Sequence, residues 1–151
     1  MSNYVVYLEA PEYLAQWISH TFGNPAILVK DSPESRILNE CLIKTPKTCQ
    51  PDTGENANVI IEIPFFKGKD PRVYNFLHDT GKNAVLESFR TLFVKNMMAE
   101  LSQIDKGDVK IVTLIYMFLE KHGIDQQHWY VVSQIYYRLR KRYFEEKGIK
   151  V

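Results

Sequence analysis

Two textures of hydrophobic spacing divide the chain. Up to about residue 78 the apolar positions come in short runs and alternations broken by Pro and Gly. Beyond it they recur every three or four residues, the period of an amphipathic α-helix. In the first part, residues 3–9 alternate weakly and are rich in Tyr and Val, which predicts a strand. Pro11 suits the first turn of a helix reaching about Phe22, with Leu14, Trp17, Ile18 and Phe22 inward and Gly23-Asn24-Pro25 as its stop. The apolar run 26–30, bounded by breakers, reads as another strand. Ser32-Pro33 makes a cap and first turn for a second helix, carrying Ile37, Leu38, Cys41 and Leu42 and ending before Pro46.

Residues 45–58 hold Pro46, Pro51 and Gly54 without periodicity and predict a long exposed loop, the first segment a protease should cut. Val59-Ile-Ile-Glu-Ile63 is the clearest strand, closed by Pro64. Residues 65–71 read as a loop with Lys67 and Lys69 exposed. Val73, Tyr74, Phe76 and Leu77 then form a short apolar segment before a turn at Asp79-Thr80-Gly81.

In the second part, Val85, Leu86, Phe89, Leu92, Phe93, Met97 and Leu101 line a helix reaching about Ile104. Asp108 is placed to cap the next, lined by Ile111, Leu114, Ile115, Phe118 and Leu119 and ending at His122-Gly123. Only Gly123-Ile124-Asp125 separates it from the last helix, which Asp125 caps and Gly148 ends. A joint this short, with glycine first, has the form of a helix-turn-helix, and Ile124 is placed to plug the space between the two helices. Trp129, Val132, Tyr136, Leu139 and Tyr143 form the inward stripe of the last helix. Trp129, Leu139, Phe118 and Phe89 are expected in one buried cluster.

The expected architecture is therefore α+β. A small N-terminal region of two to three strands and two helices (residues 1–78) precedes a three-helix, helix-turn-helix-like region (79–151), and the two regions can share one core. A chain of 151 residues, 45% hydrophobic and 25% charged, has the composition of a folded domain. No apolar run approaches the roughly 20 residues that cross a bilayer. The first residues lack a basic stretch and an apolar core, so no signal peptide is expected and a cytoplasmic location is.

Charge alters this picture. Residues 1–128 hold 13 Lys and Arg against 16 Asp and Glu, a balance of −3, while residues 129–151 hold six against two, a balance of +4. Basic charge gathered on one terminal helix is a footprint of nucleic-acid binding. It is equally what a solvated helix end carries to complement its dipole. Six of the nineteen aromatic residues also lie on this helix. Off its apolar stripe fall Gln126, Gln127, Tyr130, Gln134, Tyr137, Arg138, Lys141 and Arg142, side chains able to meet base edges or phosphates.

Other chemistry is poorly supplied. Cys41 and Cys49 are too far apart for the usual paired spacing of a structural zinc site, and Cys41 falls on an apolar helix face, so no metal and no disulfide are expected. The adjacent His78-Asp79 is poorly placed for catalytic geometry. Nothing in the chain matches a nucleophile elbow, a metalloprotease helix or a phosphate-binding glycine loop, and Gly68 between two lysines reads as a surface turn. No enzyme activity and no cofactor are expected.

Three stretches carry a resemblance: Leu14-x-x-Trp17-x-x-His20, Ile63-Pro-Phe-Phe-Lys-Gly-Lys-Asp-Pro-Arg-Val-Tyr74, and Glu120-Lys-His-Gly-Ile124 with Tyr137-Arg-Leu-Arg-Lys-Arg-Tyr143. With them the chain resembles small proteins of bacterial prophages and integrative elements, often described as candidate DNA-binding proteins. That resemblance implies a regulator or accessory factor of a mobile element. One departure from ordinary helix-turn-helix domains is the last helix, which at 23 residues would be about 34 Å long. That is more than a groove reader needs, and it leaves length for the core or for a partner. DNA binding through this helix is the function expected. Its rival is a protein-interaction or assembly module, with the aromatic helix buried in a homo-oligomer or against another protein.

Overall fold

The computed structural model describes residues 4–104 and 110–146, apart from the side chains of residues 102–104, 143 and 144. In order the elements are β1 (Val5–Leu8), α1 (Glu12–Phe22), α2 (Pro33–Cys41), β2 (Ile43–Lys44), β3 (Val59–Glu62), β4 (Tyr74–Phe76), α3 (Asp79–Ile104), α4 (Ile111–Lys121), a 3-10 turn (Gln126–His128) and α5 (Trp129–Glu146). The class is α+β, with strands confined to the N-terminal part and helices filling the C-terminal one. The chain divides into two compact units, residues 1–90 and 91–151, with the division falling inside α3.

In the first unit β1 and β3 pair antiparallel, with Val6 opposite Ile61 and Leu8 opposite Val59. Val6, Leu8, Val59 and Ile61 are buried, the alternation that the sequence of residues 3–9 shows weakly. Helix α1 buries Tyr13, Leu14, Ala15, Trp17 and Ile18. Phe22 meets Trp17 edge to face at 5.9 Å and Phe89 at 5.5 Å. Helix α2 opens as expected, the Ser32 hydroxyl accepting from Ser35 N–H at 3.2 Å with Pro33 in the first turn.

Some expectations are corrected here. Residues 26–30 form no strand: Ala26 alone bridges β3, opposite Ile61, while Ile27 and Val29 face solvent. A single bridge suffices because only Ala26 has a partner edge to pair with. The apolar segment around Tyr74 forms a strand, β4, paired with the unexpected two-residue β2. The turn expected at residues 79–81 is the first turn of α3, where Asp79 complements the helix dipole. Glycine is used there for closeness, since a Cβ on Gly81 would lie 3.2 Å from that of Cys41.

Lys69, expected to be exposed, instead turns its ammonium onto the carbonyls of Asn39 and Leu42. It thereby caps the C-terminal end of α2, where a cation is favoured. Residues 45–58 lack regular structure but are tied down. Asp52 pairs with Lys82 and accepts from Gly54 N–H at 2.9 Å, and the Tyr7 ring lies against Gly54. Burial alone would raise the Asp52 pKa, but the hydrogen bonds from Lys82 and Gly54 bring it below the usual carboxylate value.

The second unit is helical. Phe93, Met97 and Leu101 of α3 are buried, as are Leu114, Ile115, Phe118 and Leu119 of α4 and Val132 and Tyr136 of α5. Phe93 meets Phe118 edge to face at 5.9 Å. Of the four residues expected in one buried cluster, Phe89 and Phe118 are buried. Phe89 packs with Phe22 in the first unit, and Trp129 and Leu139 are only half-buried. Among the described residues no helix is long and apolar enough to cross a membrane.

Candidate nucleic-acid interface

The joint that sets the direction of α5 is built from three consecutive residues, Gly123, Ile124 and Asp125. Gly123 adopts φ +69°, the left-handed conformation that costs glycine least. Its N–H reaches Glu120 O at 3.4 Å, and Ile124 N–H reaches Leu119 O at 2.9 Å. These two bonds close the end of α4 as a Schellman motif. Ile124 is buried, filling the space the sequence assigned to it. Asp125 then accepts from Gln127 N–H at 3.1 Å and caps the 3-10 turn that leads into α5. Asp108 and Gly148, expected as caps further out, lie outside the described residues.

Helix α5 faces inward with Val132, Ser133 and Tyr136. The Ser133 hydroxyl donates back to Tyr130 O at 2.8 Å, which satisfies it inside the helix. Trp129 falls short of full burial because it reaches along α4 instead. Its ring stacks on Tyr116 with centroids 5.5 Å apart, and its indole N–H points to Val112 O at 3.4 Å. Leu139 stays half-buried where cover thins: α4 has 11 residues, about 16 Å, against 18 residues and about 27 Å for α5. Tyr143, the last residue of the expected stripe, has its side chain outside those described.

The eight residues singled out from the sequence are all exposed: Gln126, Gln127, Tyr130, Gln134, Tyr137, Arg138, Lys141 and Arg142. Gln126 and Gln127 lie on the 3-10 turn, and the other six are on α5. At about 100° per residue, Tyr130, Gln134, Tyr137 and Lys141 fall in one row, and Arg138 and Arg142 widen it to an arc of about 140°. Tyr130 is 68% exposed, leaving most of its ring available for contact. Among the described residues, no acid pairs with Arg138, Lys141 or Arg142, and Glu145 and Glu146 are exposed without holding them. Arg140, on another side of the helix, is half-buried.

Comparison with protein-family models, curated proteins and solved structures finds no match for this chain.

One residue that sequence reasoning missed holds the joint in place. Glu100 of α3 accepts from Lys121 Nζ at 2.7 Å with one oxygen and meets His122 Nε2 at 2.7 Å with the other. The His122 ring also lies on Phe118, centroids 4.5 Å apart. Burial pushes the Glu100 pKa up, and the bonds from Lys121 and His122 outweigh it, leaving the carboxyl below its ordinary value. A depressed carboxyl contributes stability that is complete above the ordinary glutamate range. That contribution is lost as pH falls through the lower folded value. Glu100→Gln is therefore expected to cost about 1–2 kcal/mol at pH 7. The gap from wild type should close as pH drops below about 4, read by denaturant unfolding at both pH values. No sequence pattern marks Glu100, because its partners are 21 and 22 positions away. Among the described residues, no group of three or more His, Cys, Asp or Glu is placed to hold a metal ion.

Proposed function

We propose that this protein binds DNA through the solvent face of α5, acting in the cytoplasm as a regulator or accessory factor of a mobile element and without catalysis. The observation that carries the reading is the cationic trio Arg138, Lys141 and Arg142. All three are exposed on one arc of a helix, unpaired with acids among the described residues, and share that arc with Tyr130 and Tyr137. Three cations held along one helix face can follow a phosphate run. Tyrosines between them offer hydroxyls to phosphates and rings to bases. Gln126 and Gln127 on the 3-10 turn and Gln134 in the second turn of α5 lie toward the N-terminal end, which a recognition helix turns toward base edges.

This division of labour gives a test by fluorescence anisotropy on duplexes selected from random sequence. Gln127→Ala and Gln134→Ala should relax sequence preference by about 1–3 kcal/mol at the position each residue reads, with a smaller loss of affinity for random duplex. Uniform weakening at every sequence would assign these residues to the backbone instead.

A second reading, an assembly module, is favoured by a different observation. Val112, Tyr116 and Met117 of α4 and Val131 of α5 are 39–57% exposed, more apolar surface than so small a helical unit needs to show. Light scattering across a concentration series separates the readings, since assembly through this surface gives a rising mass with no nucleic acid present.

A further inference from the structure

The first unit holds an exposed aromatic ring at a turn that the fold fixes in place. Phe65 is 70% exposed, more than any other large apolar side chain among the described residues. It leads into the turn Phe66-Lys67-Gly68-Lys69, where Lys69 N–H donates to Phe66 O at 3.2 Å and the two residues bridge antiparallel. Gly68 takes φ +82° at the third position of that turn, and a Cβ there would meet nothing within 4 Å, so the tip stands clear in solvent. The base of the turn is fastened. Lys69 Nζ donates to the carbonyls of Asn39 and Leu42, and the Asp70 carboxylate is held by Arg72 at 2.7 Å.

Positive charge gathers beside this turn. Lys44 stands opposite Tyr74 in the pairing of β2 with β4. Its ammonium lies 5.5 Å from the centre of the Tyr74 ring, and that of Lys69 lies 5.8 Å from the same centre, both drawn by one π system. Two of the three N–H bonds of Lys69 Nζ go to the α2 carbonyls, which leaves the third for a further acceptor. Lys67, on the turn itself, is exposed. Among the described residues no acid holds Lys44, Lys67 or Lys69: Asp70 is taken by Arg72, and Glu40, exposed in the last turn of α2, pairs with no cation. Like charges gathered at one ring repel, a cost that an incoming anion removes.

We propose that the turn at residues 65–69, with Lys44 beside it, binds single-stranded nucleic acid, Phe65 stacking on an unpaired base and the lysines meeting the phosphates. A ring so exposed on a fixed turn offers a platform to a flat partner, and every unpaired base has a face to lay on it. A duplex keeps its base faces stacked on one another and gives the ring nothing comparable. The three lysines supply the sequence-independent hold on the backbone. A lipid surface fits less well, since a single ring buries far less apolar area than an acyl chain, which by itself gives only marginal membrane binding. No residue of α5 takes part, so this site and the duplex-binding face of α5 stand or fall separately.

The probes are a labelled oligo-dT strand of about 12 nucleotides, within the span of a stacking platform, and vesicles containing phosphatidylserine. The parent is the full chain with Arg138, Lys141 and Arg142 replaced by alanine, which removes the cations of α5 from the measurement. The strand should bind this parent and shift the backbone amide NMR signals of residues 65–69, Lys44 and Tyr74. Phe65→Ala should weaken the strand at least about fivefold, and Phe65→Trp should keep it. Lys44→Ala with Lys67→Ala should flatten the slope of log affinity against log salt by about 1.4. Lys69 is left in place because it closes α2. Should Phe65→Ala not fold, quenching of the added indole emission in Phe65→Trp by the strand decides the same point.

A strand that binds wild type but not the α5 variant, shifts confined to other residues, or a Phe65→Ala variant as tight as its parent would each overturn the proposal. So would vesicle binding that depends on Phe65 without binding of the strand, which would give the turn to a membrane surface. Loss of duplex binding in the α5 variant, with the strand still held, would leave both sites standing.

Discussion

Replacing Arg138, Lys141 and Arg142 together by alanine is expected to weaken DNA binding by roughly a hundred- to a thousandfold near 0.1 M salt, at every sequence alike. Each cation that neutralises a phosphate releases a counterion and adds about 0.9 to the slope of log affinity against log salt, so the triple variant should be flatter by about 2.7. Stability should hardly change, because all three side chains are exposed and hold no acid among the described residues. Arg140→Ala is the internal control. That side chain is half-buried on another side of α5, so its loss should alter stability more than DNA affinity. Equal loss of affinity in the Arg140 variant would remove the assignment of phosphate contacts to one helix face.

The largest stability effect is expected at Phe93. It is fully buried and meets Phe118 edge to face, so Phe93→Ala should cost about 3–5 kcal/mol, measured by denaturant unfolding of the full chain. That is a large share of what a small helical unit has, and loss of cooperative unfolding in residues 91–151 is the anticipated outcome. Leu139→Ala gives the contrast. A fully buried leucine would cost about 2–5 kcal/mol, but Leu139 is half-buried, and about 1 kcal/mol is expected. Equal costs at the two positions would mean that α5 is covered along more of its length than the structure shows.

The helical half was legible because its signals are local. The stripe of Val85, Phe89, Phe93, Met97 and Leu101, the glycine of the joint, buried Ile124 and the Asp125 cap all follow from spacing and backbone chemistry within a few residues. The same holds for the outward set on α5, whose six residues chosen off the apolar stripe are all exposed. What escaped is non-local. Strand β2 has two residues and exists only because β4 lies beside it, and the run at 26–30 fails as a strand because only Ala26 finds an edge. Lys69 looked like a loop lysine until α2 brought its carbonyl end within reach. Glu100 carries no signal until α3 and α4 are packed. Trp129 and Leu139 carry the helical period but lack the burial, since period records a face and not the length of what covers it.

Binding of nucleic acid by α5 through phosphate contacts is read by titrating the wild-type chain into a labelled random-sequence duplex across a salt series. Three contacts from Arg138, Lys141 and Arg142 predict measurable binding whose log affinity falls with log salt at a slope of about −2.7 or steeper. Undetectable binding at low salt, or an affinity that salt leaves unchanged, would contradict it.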